Sequence, residues 1–265
     1  MNDEIKTILI SPHSDDIAYS IGGALLHNFF KRPILMLTVF TKSNYSPSIK
    51  MSNSEIISKV RCLEDVEFAD KLQIKLQSFN FSEPPLRGYS HKEMFTSNHN
   101  SDPVYTEVYF ALSKLIKLYQ CELIVSPMGL GNHVDHINLS NICNRIAKEN
   151  NLQIVFYEDL HYASHLTLKR IKERANTISP NLQYYNINIT PKFYNKLENV
   201  ELYKTQASRA SNIMIKLHAL RLGMENKSLK EKSYDIFKNL LFLFSLRHVQ
   251  VPLYERIWIN KKGGE

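Results

Sequence analysis

Two short clusters mix imidazoles with carboxylates. The first is Ser11-Pro12-His13-Ser14-Asp15-Asp16, and the second is Gly131-Asn132-His133-Val134-Asp135-His136. Two imidazoles and one carboxylate make a ligand set for a catalytic Zn²⁺ that leaves one position open for water. The spacing His13-x-x-Asp16 lets a tight turn aim both side chains at one centre. Asp15 and Asp16 are neighbours, so their side chains diverge, and one can hold a metal while the other faces the water. His133 and His136 stand three apart, on one side of a helix turn. A bound metal would lower the pKa of its water to ~7, and a carboxylate base would complete the deprotonation. The metal and a second histidine would then stabilise the tetrahedral oxyanion. Taken alone, each cluster also suits plain structure. Ser and Asp favour turns and helix N-caps, and His133–His136 would serve as a polar helix start.

Both clusters follow apolar runs that read as strands. Ile5–Ser11 precedes the first and Glu122–Ser126 the second. Further strands are expected at Ile34–Phe40, Lys75–Phe81 and Gln153–Tyr157. Helical spacing appears at Gly22–Phe30, Ser54–Leu72, Val104–Tyr119 and His136–Glu149. Near-continuous apolar strands separated by helices indicate a mostly parallel sheet covered on both faces. The fold class is α/β, a doubly wound, Rossmann-like sheet. In such sheets ligands bind outside the carboxyl ends of strands at the switch point, where both clusters can meet. After Ser164 the pattern loosens. Tyr184–Ile189 reads as a strand, Thr190-Pro191 as an N-cap and first helical position, helices continue to about Phe244, and Tyr254–Ile259 is a last strand. The expected organisation is one domain over 1–265, with an α/β core to 164 and a helix-rich part of the same domain from 165. Ser82–Pro103 is rich in Pro, Ser, Asn and His, and a structureless connection of that length suits a lid, a binding loop or a disordered segment.

The 265 residues are 43% hydrophobic and 22% charged, which excludes a disordered chain, a collagen-like chain and a coiled-coil rod. Cys62, Cys121 and Cys143 form no CxxC pair and read as free thiols in a reducing compartment. No secretory signal or spanning segment is visible, so a cytoplasmic, soluble protein with no membrane partner is expected. The net charge of +7 resides from Pro191 onward, where 14 Lys/Arg face 7 Asp/Glu. No nucleic-acid recognition motif accompanies it. A solvated helix surface is its plain reading, and a weak preference for an anionic substrate follows from it. The apolar run Leu240–Phe244 would serve a homo-oligomer interface as easily as the core.

Ser11 to Asp16, continued by Ile17-Ala18-Tyr19-Ser20-Ile21-Gly22-Gly23, resembles the His-x-Asp-Asp…Gly-Gly signature of the LmbE-like (PIG-L) zinc de-N-acetylases. Pro127 to His136 resembles that family's Gly-x-His-x-Asp-His block. Weaker echoes follow in family order at Arg61–Asp65, Tyr157–Leu160, Tyr203–Gln206 and Glu255–Trp258. The resemblance implies His13, Asp16 and His136 as ligands of one Zn²⁺ per chain. It implies Asp15 as general base and His133 as the group that stabilises the oxyanion and can protonate the leaving amine. Asp135 would orient His133 and favour its cationic form. Arg61 matches a residue near the substrate in relatives, against a plain surface ion pair with Glu64. Some relatives carry Tyr at the position of Gly131, so a tyrosine contribution must come from elsewhere or be absent. Arg87 and His91 in the long loop, and His161, are further candidates for reading the substrate.

The function implied is hydrolysis of an N-acetyl group from an N-acetylated amino sugar or related small molecule. The alternative is a non-catalytic module binding a sugar or nucleotide on the same fold. A two-metal phosphoesterase ranks below both, because it needs more ligands than one set. A dinucleotide dehydrogenase is disfavoured, since no Gly-x-Gly-x-x-Gly follows the first strand.

Overall fold

β-Branched and aliphatic runs become the inner strands of a seven-stranded sheet in the order β3-β2-β1-β4-β5-β7-β6. The computed structural model describes residues 4–50, 53–96, 102–225, 227–228 and 251–260. The strands are β1 (Thr7–Ser11), β2 (Ile34–Lys42), β3 (Lys75–Ser82), β4 (Leu123–Pro127), β5 (Gln153–Tyr157), β6 (Leu182–Asn188) and β7 (Tyr254–Asn260). β1 through β5 pair in parallel, whereas β7 runs antiparallel to both β5 and β6. Every residue of β1 is buried, so both faces of the sheet are covered there. One core of buried side chains runs from Ile5 to Trp258. No helix among the described residues is long and apolar enough to cross a membrane.

The helices are α1 (Asp16–Leu26), α2 (Ser54–Leu72), α3 (Glu93–Thr96), α4 (Val104–Tyr119), α5 (Val134–Glu149), α6 (Tyr162–His165), α7 (Leu168–Ile178), α8 (Phe193–Val200) and α9 (Arg209–Gly223). The periodicity of α2 and α4 locates both without error. α1 departs from the expected Gly22–Phe30. It starts at Asp16, because the polar turn after β1 leads directly into a buried helix. Thr190 also departs from expectation. Its hydroxyl bonds Asn188 and accepts the Leu253 amide, a short 3₁₀ turn covers Thr190–Lys192, and α8 begins at Phe193. The Ser82–Pro103 stretch carries a 3₁₀ turn at Pro84–Arg87 and the short α3. The Leu240–Phe244 run, and the helical pattern expected around it, lie outside the described residues.

β1 lies between β2 and β4, with Leu9 opposite both Met36 and Val125. The chain moves outward from β1 to β3 and then returns to the other side of β1. The turns after β1 and β4 are thereby neighbours at the switch point.

A buried carboxylate ties the last strand to α1. The α1 backbone breaks at Ile21 (φ −133°, ψ 17°). Just beyond the break, Gly23 and Ala24 donate their amides to Glu255, at 2.9 and 2.7 Å. Lys196 of α8 donates to the same carboxylate at 2.6 Å, and both side chains are buried. Gly23 is required by close approach, since a Cβ there would meet Ile189 at 2.8 Å. Removing one partner of a buried pair leaves an uncompensated charge. Glu255→Ala is therefore expected to lower the unfolding free energy by about 3–5 kcal/mol in urea titrations. Adding Lys196→Met should recover part of that loss. Equal stability of Glu255→Ala and wild type would show that the carboxylate does not anchor α1.

Candidate active site

The turn after β1 presents Asp16 and His13 to one point. The His13 amide donates to Asp16 Oδ2 at 2.8 Å, which closes the turn. The turn after β4 ends in α5, whose first residues carry His133, Asp135 and His136. His13 Nδ1 lies 3.4 Å from Asp16 Oδ2 and 3.4 Å from His136 Nε2, and the latter two atoms are 3.6 Å apart. Neighbouring donors on a tetrahedron with ~2.0–2.1 Å bonds would stand roughly 3.3–3.4 Å apart. The three atoms fit that spacing, and nothing in the donor set disfavours a zinc-type ion. A nitrogen of His133 also comes within 4.8 Å of the other two histidines, so the buried triad His13, His133 and His136 fits a metal site. Asp16 makes the more compact set.

The His136 and His13 rings are each held from behind by a carboxylate. Asp159 bonds His136 Nδ1 at 2.7 Å while its other oxygen takes the amides of Met128 and Leu130. Asp135 bonds His13 Nε2 at 2.9 Å. The expected partner of Asp135 was His133, and the structure corrects this. His133 Nδ1 instead accepts the Asp135 amide at 3.3 Å, as the N-cap of α5. With Nδ1 committed to the helix's own amide, that nitrogen is not available to the Asp135 carboxylate two residues on. Burial pushes the His133 pKa well below its ordinary value, against the pull of Asp135, and the ring is neutral. The cationic form expected for it is not favoured.

Asp15 occupies the N-cap position of α1 with φ 109°. That is a conformation non-glycine residues rarely adopt, and it stores strain. Its carboxyl pKa is raised well above the usual range by burial and by Asp16 beside it.

His13, Asp15, Asp16 and His133 line a cleft of about 410 Å³, and His136 is buried behind them. Arg61, Glu83, Tyr45 and Gln206 line one part of it, and Tyr89, Met94, Phe95 and Tyr162 line another. Arg61 is buried and faces the cleft, and it pairs with Glu83 at 2.8 Å rather than with Glu64. Glu64 accepts the Thr205 amide and hydroxyl instead. His161 and His91 also line the cleft. Arg87 does not. Its guanidinium is taken up by the Ser82 carbonyl, Asp102 and Asp135.

Tyr162 escaped sequence reasoning. A Cβ at Gly131 would meet its ring at 2.7 Å, so the glycine is what admits the tyrosine. The ring centre lies 5.3 Å from that of His136 and 6.1 Å from that of His133. Burial and Asp16 hold its phenol well above its ordinary pKa, so it stays protonated and can donate. The signal was the Gly131 departure itself, which marked space that another residue had to fill.

Residues 8–147 match the family model described as PIG-L: GlcNAc-PI de-N-acetylase, and the chain belongs to that family. A 2'-N-acetylparomamine deacetylase of Streptomyces fradiae is 26% identical over 207 residues, which cover 76% of this chain and 73% of that protein. Among solved structures, a deacetylase–teicoplanin complex superposes with a TM-score of 0.65 at 18% identity, covering 97% of this chain and 99% of that one. GalB, a 4-carboxy-2-hydroxymuconate hydratase of Pseudomonas putida, gives 0.60 at 13% identity, over 98% and 99%. Both structures share the fold.

Burial opposes a charge on His13, but its bonds to Asp135 and Asp16 outweigh that and raise its pKa from 6.5 to about 10. The metal-free ring is therefore protonated at neutral pH, whereas a ligand imidazole must be neutral. A cation bound through His13 would have to expel that proton. The apparent affinity for Zn²⁺ is expected to rise about tenfold per pH unit from pH 6 toward 9. Chelator competition at three pH values checks this, and a flat profile would remove His13 from the ligand set.

Proposed function

We propose that the protein is a metal-dependent hydrolase that removes the acetyl group from an N-acetylated amino sugar, acting as one domain. The observation that carries this reading is the 3.4–3.6 Å triangle of His13, Asp16 and His136 donors, two of which, His13 and Asp16, line the cleft beside Asp15. In it, His13, Asp16 and His136 hold one divalent ion, Zn²⁺ by the chemistry of the donors. The ion, when bound, supplies a Lewis acid that polarises the amide carbonyl and acidifies water.

The chain's own residues do the rest. Asp15 takes a proton from the attacking water, and the upward shift that burial and Asp16 give its pKa makes it a stronger base than an ordinary carboxylate. Tyr162 donates to the developing oxyanion, and neutral His133 faces the same charge. Asp15, now protonated, passes its proton to the leaving amine. Phe95 stands 5.4 Å from the His133 ring and excludes water from that side. Tyr89 and Phe95 offer flat apolar faces to a sugar ring. The likeness to a 2'-N-acetylparomamine deacetylase supports an N-acetyl substrate.

The anionic preference drawn from the basic C-terminal third finds no support in the lining of the cleft. Arg61 is the Lys/Arg side chain among the described lining residues, and it is already paired with Glu83, while Asp15 and Asp16 are acidic. A neutral or cationic acceptor fits better.

Acetate release from a panel of N-acetyl sugars by the Zn²⁺-loaded protein tests the reading. Sugar binding without acetate would favour a non-catalytic module instead. Asp15→Asn should keep the metal and lose at least ~10²-fold in kcat. Asp15→Gly should be equally inactive but more stable than wild type, by about 1 kcal/mol or more, because it relieves the φ strain. Wild-type turnover in either variant would rule out the base. Tyr162→Phe should lower kcat by about 10²-fold with metal content unchanged, and an unaltered kcat would remove Tyr162 from the mechanism.

A further inference from the structure

We propose that Arg87 is a positioning residue for the metal site, acting on His13 through Asp135. The inference rests on the metal-site reading above, but it concerns a residue outside the ligand set and outside the cleft surface.

Arg87 ends the 3₁₀ turn Pro84–Arg87, whose prolines line the cleft. Its guanidinium points inward and is nearly buried. One nitrogen, Nη2, lies 2.8 Å from Asp102 Oδ2 and 2.6 Å from Asp135 Oδ1, and Nη1 donates to the Ser82 carbonyl. The guanidinium carbon stands 5.1 Å from the Phe40 ring centre, and the Phe40 ring centre is 6.1 Å from that of His13. Asp102 is itself bonded by Asn138 of α5 at 3.1 Å. Asp135 is fully buried, and its two oxygens are divided. Oδ1 accepts from Arg87 and Oδ2 meets His13 Nε2 at 2.9 Å. The opposite nitrogen of His13 is the one that faces Asp16 and His136.

A chain of two contacts thus runs from Arg87, behind the cleft wall, through Asp135 to the His13 ring. Its physical content is orientation. A lone buried carboxylate can rotate, and then the imidazole it bonds rotates too. A carboxylate held at both oxygens cannot. Arg87 also supplies the positive charge that keeps Asp135 compensated away from water. Lysine would be a poor substitute, because a point charge cannot hold both carboxylates and a carbonyl in a fixed fork.

Zn²⁺ affinity, measured by chelator competition on the full-length protein, tests this without reference to turnover. Arg87→Gln is expected to weaken binding by about 10–100-fold, the usual cost of losing a partner that orients a ligand. In an Asp135→Asn background the same substitution should change affinity by less than about twofold, because the path is already cut. Arg87→Lys should fall between wild type and Arg87→Gln. The visible spectrum of the Co²⁺ form should shift in Arg87→Gln, a change that a merely structural role would not produce. Unchanged affinity in Arg87→Gln, or a full additive loss in the double variant, would overturn the proposal. If Arg87→Gln fails to fold by circular dichroism, Arg87→Lys carries the test, and wild-type affinity there would overturn it. A wild-type protein that takes up no Zn²⁺ would overturn the metal-site reading as well, and the two failures are therefore distinguishable.

Discussion

The parallel pairing of β1 with β4 is the constraint on which the site depends. Thr7 lies opposite Leu123 and Leu9 opposite Val125, so both strands end at the same level. Their following turns must then meet, although more than a hundred residues separate them in the chain. An imidazole and a carboxylate from one turn and an imidazole from the other come to a common point as a consequence. No local property of either turn would bring them together. A doubly wound sheet does so because its chain reverses direction at β1, leaving the two carboxyl ends adjacent and uncovered by a crossover.

Buried charges then hold the geometry. Each ring at the common point has a carboxylate behind it, and each carboxylate is itself bonded by backbone amides or a guanidinium. Removed from water, an ion of this kind is tolerable only with its lone pairs satisfied. The same logic recurs at Glu255, which accepts two amides and an ammonium, and at Asp65, which accepts the hydroxyls of Ser14, Thr38 and Tyr203. Burial still pushes the Asp65 carboxyl up to about 6. Local strain also sits at Asp15, whose φ of 109° departs from ordinary helix entry and whose side chain lines the cleft.

The weak sequence echoes acquire physical meaning as partners of one another. Glu64 bonds Thr205, and Asp65 bonds Tyr203, which joins the Arg61–Asp65 segment to the Tyr203–Gln206 segment behind the site. Glu158 accepts the Trp258 indole N–H at 2.9 Å, and the strand holding Trp258 delivers Glu255 to α1. Segments that seem minor one at a time are therefore two halves of the same buried polar contacts. Gly23 of the Gly22-Gly23 pair is likewise a packing requirement, set by Ile189 and Glu255 at 2.8–3.0 Å from its missing Cβ, whereas a Cβ at Gly22 would meet its neighbours at 3.6 Å or more.

The α/β architecture, the alternation of strands and helices up to Ser164 and the meeting of the two His/Asp clusters were legible from residue types, while the choice of His13, Asp16 and His136 among them came from the family resemblance. Strand and helix periods, and the chemistry of His and Asp at short spacing, are local, and a one-dimensional string records them. Tertiary structure alone decided the partners. Asp135 could be placed near a histidine from the sequence, but which histidine depends on the angle at which α5 enters the site. Arg87 reads in sequence as a loop cation free to meet a ligand, yet the fold turns it toward two buried carboxylates. Tyr162 carries no signal of its own, because its place is set by an empty position at Gly131 on another element. Contacts between distant segments depend on directions in space, and neighbours along the chain do not encode them.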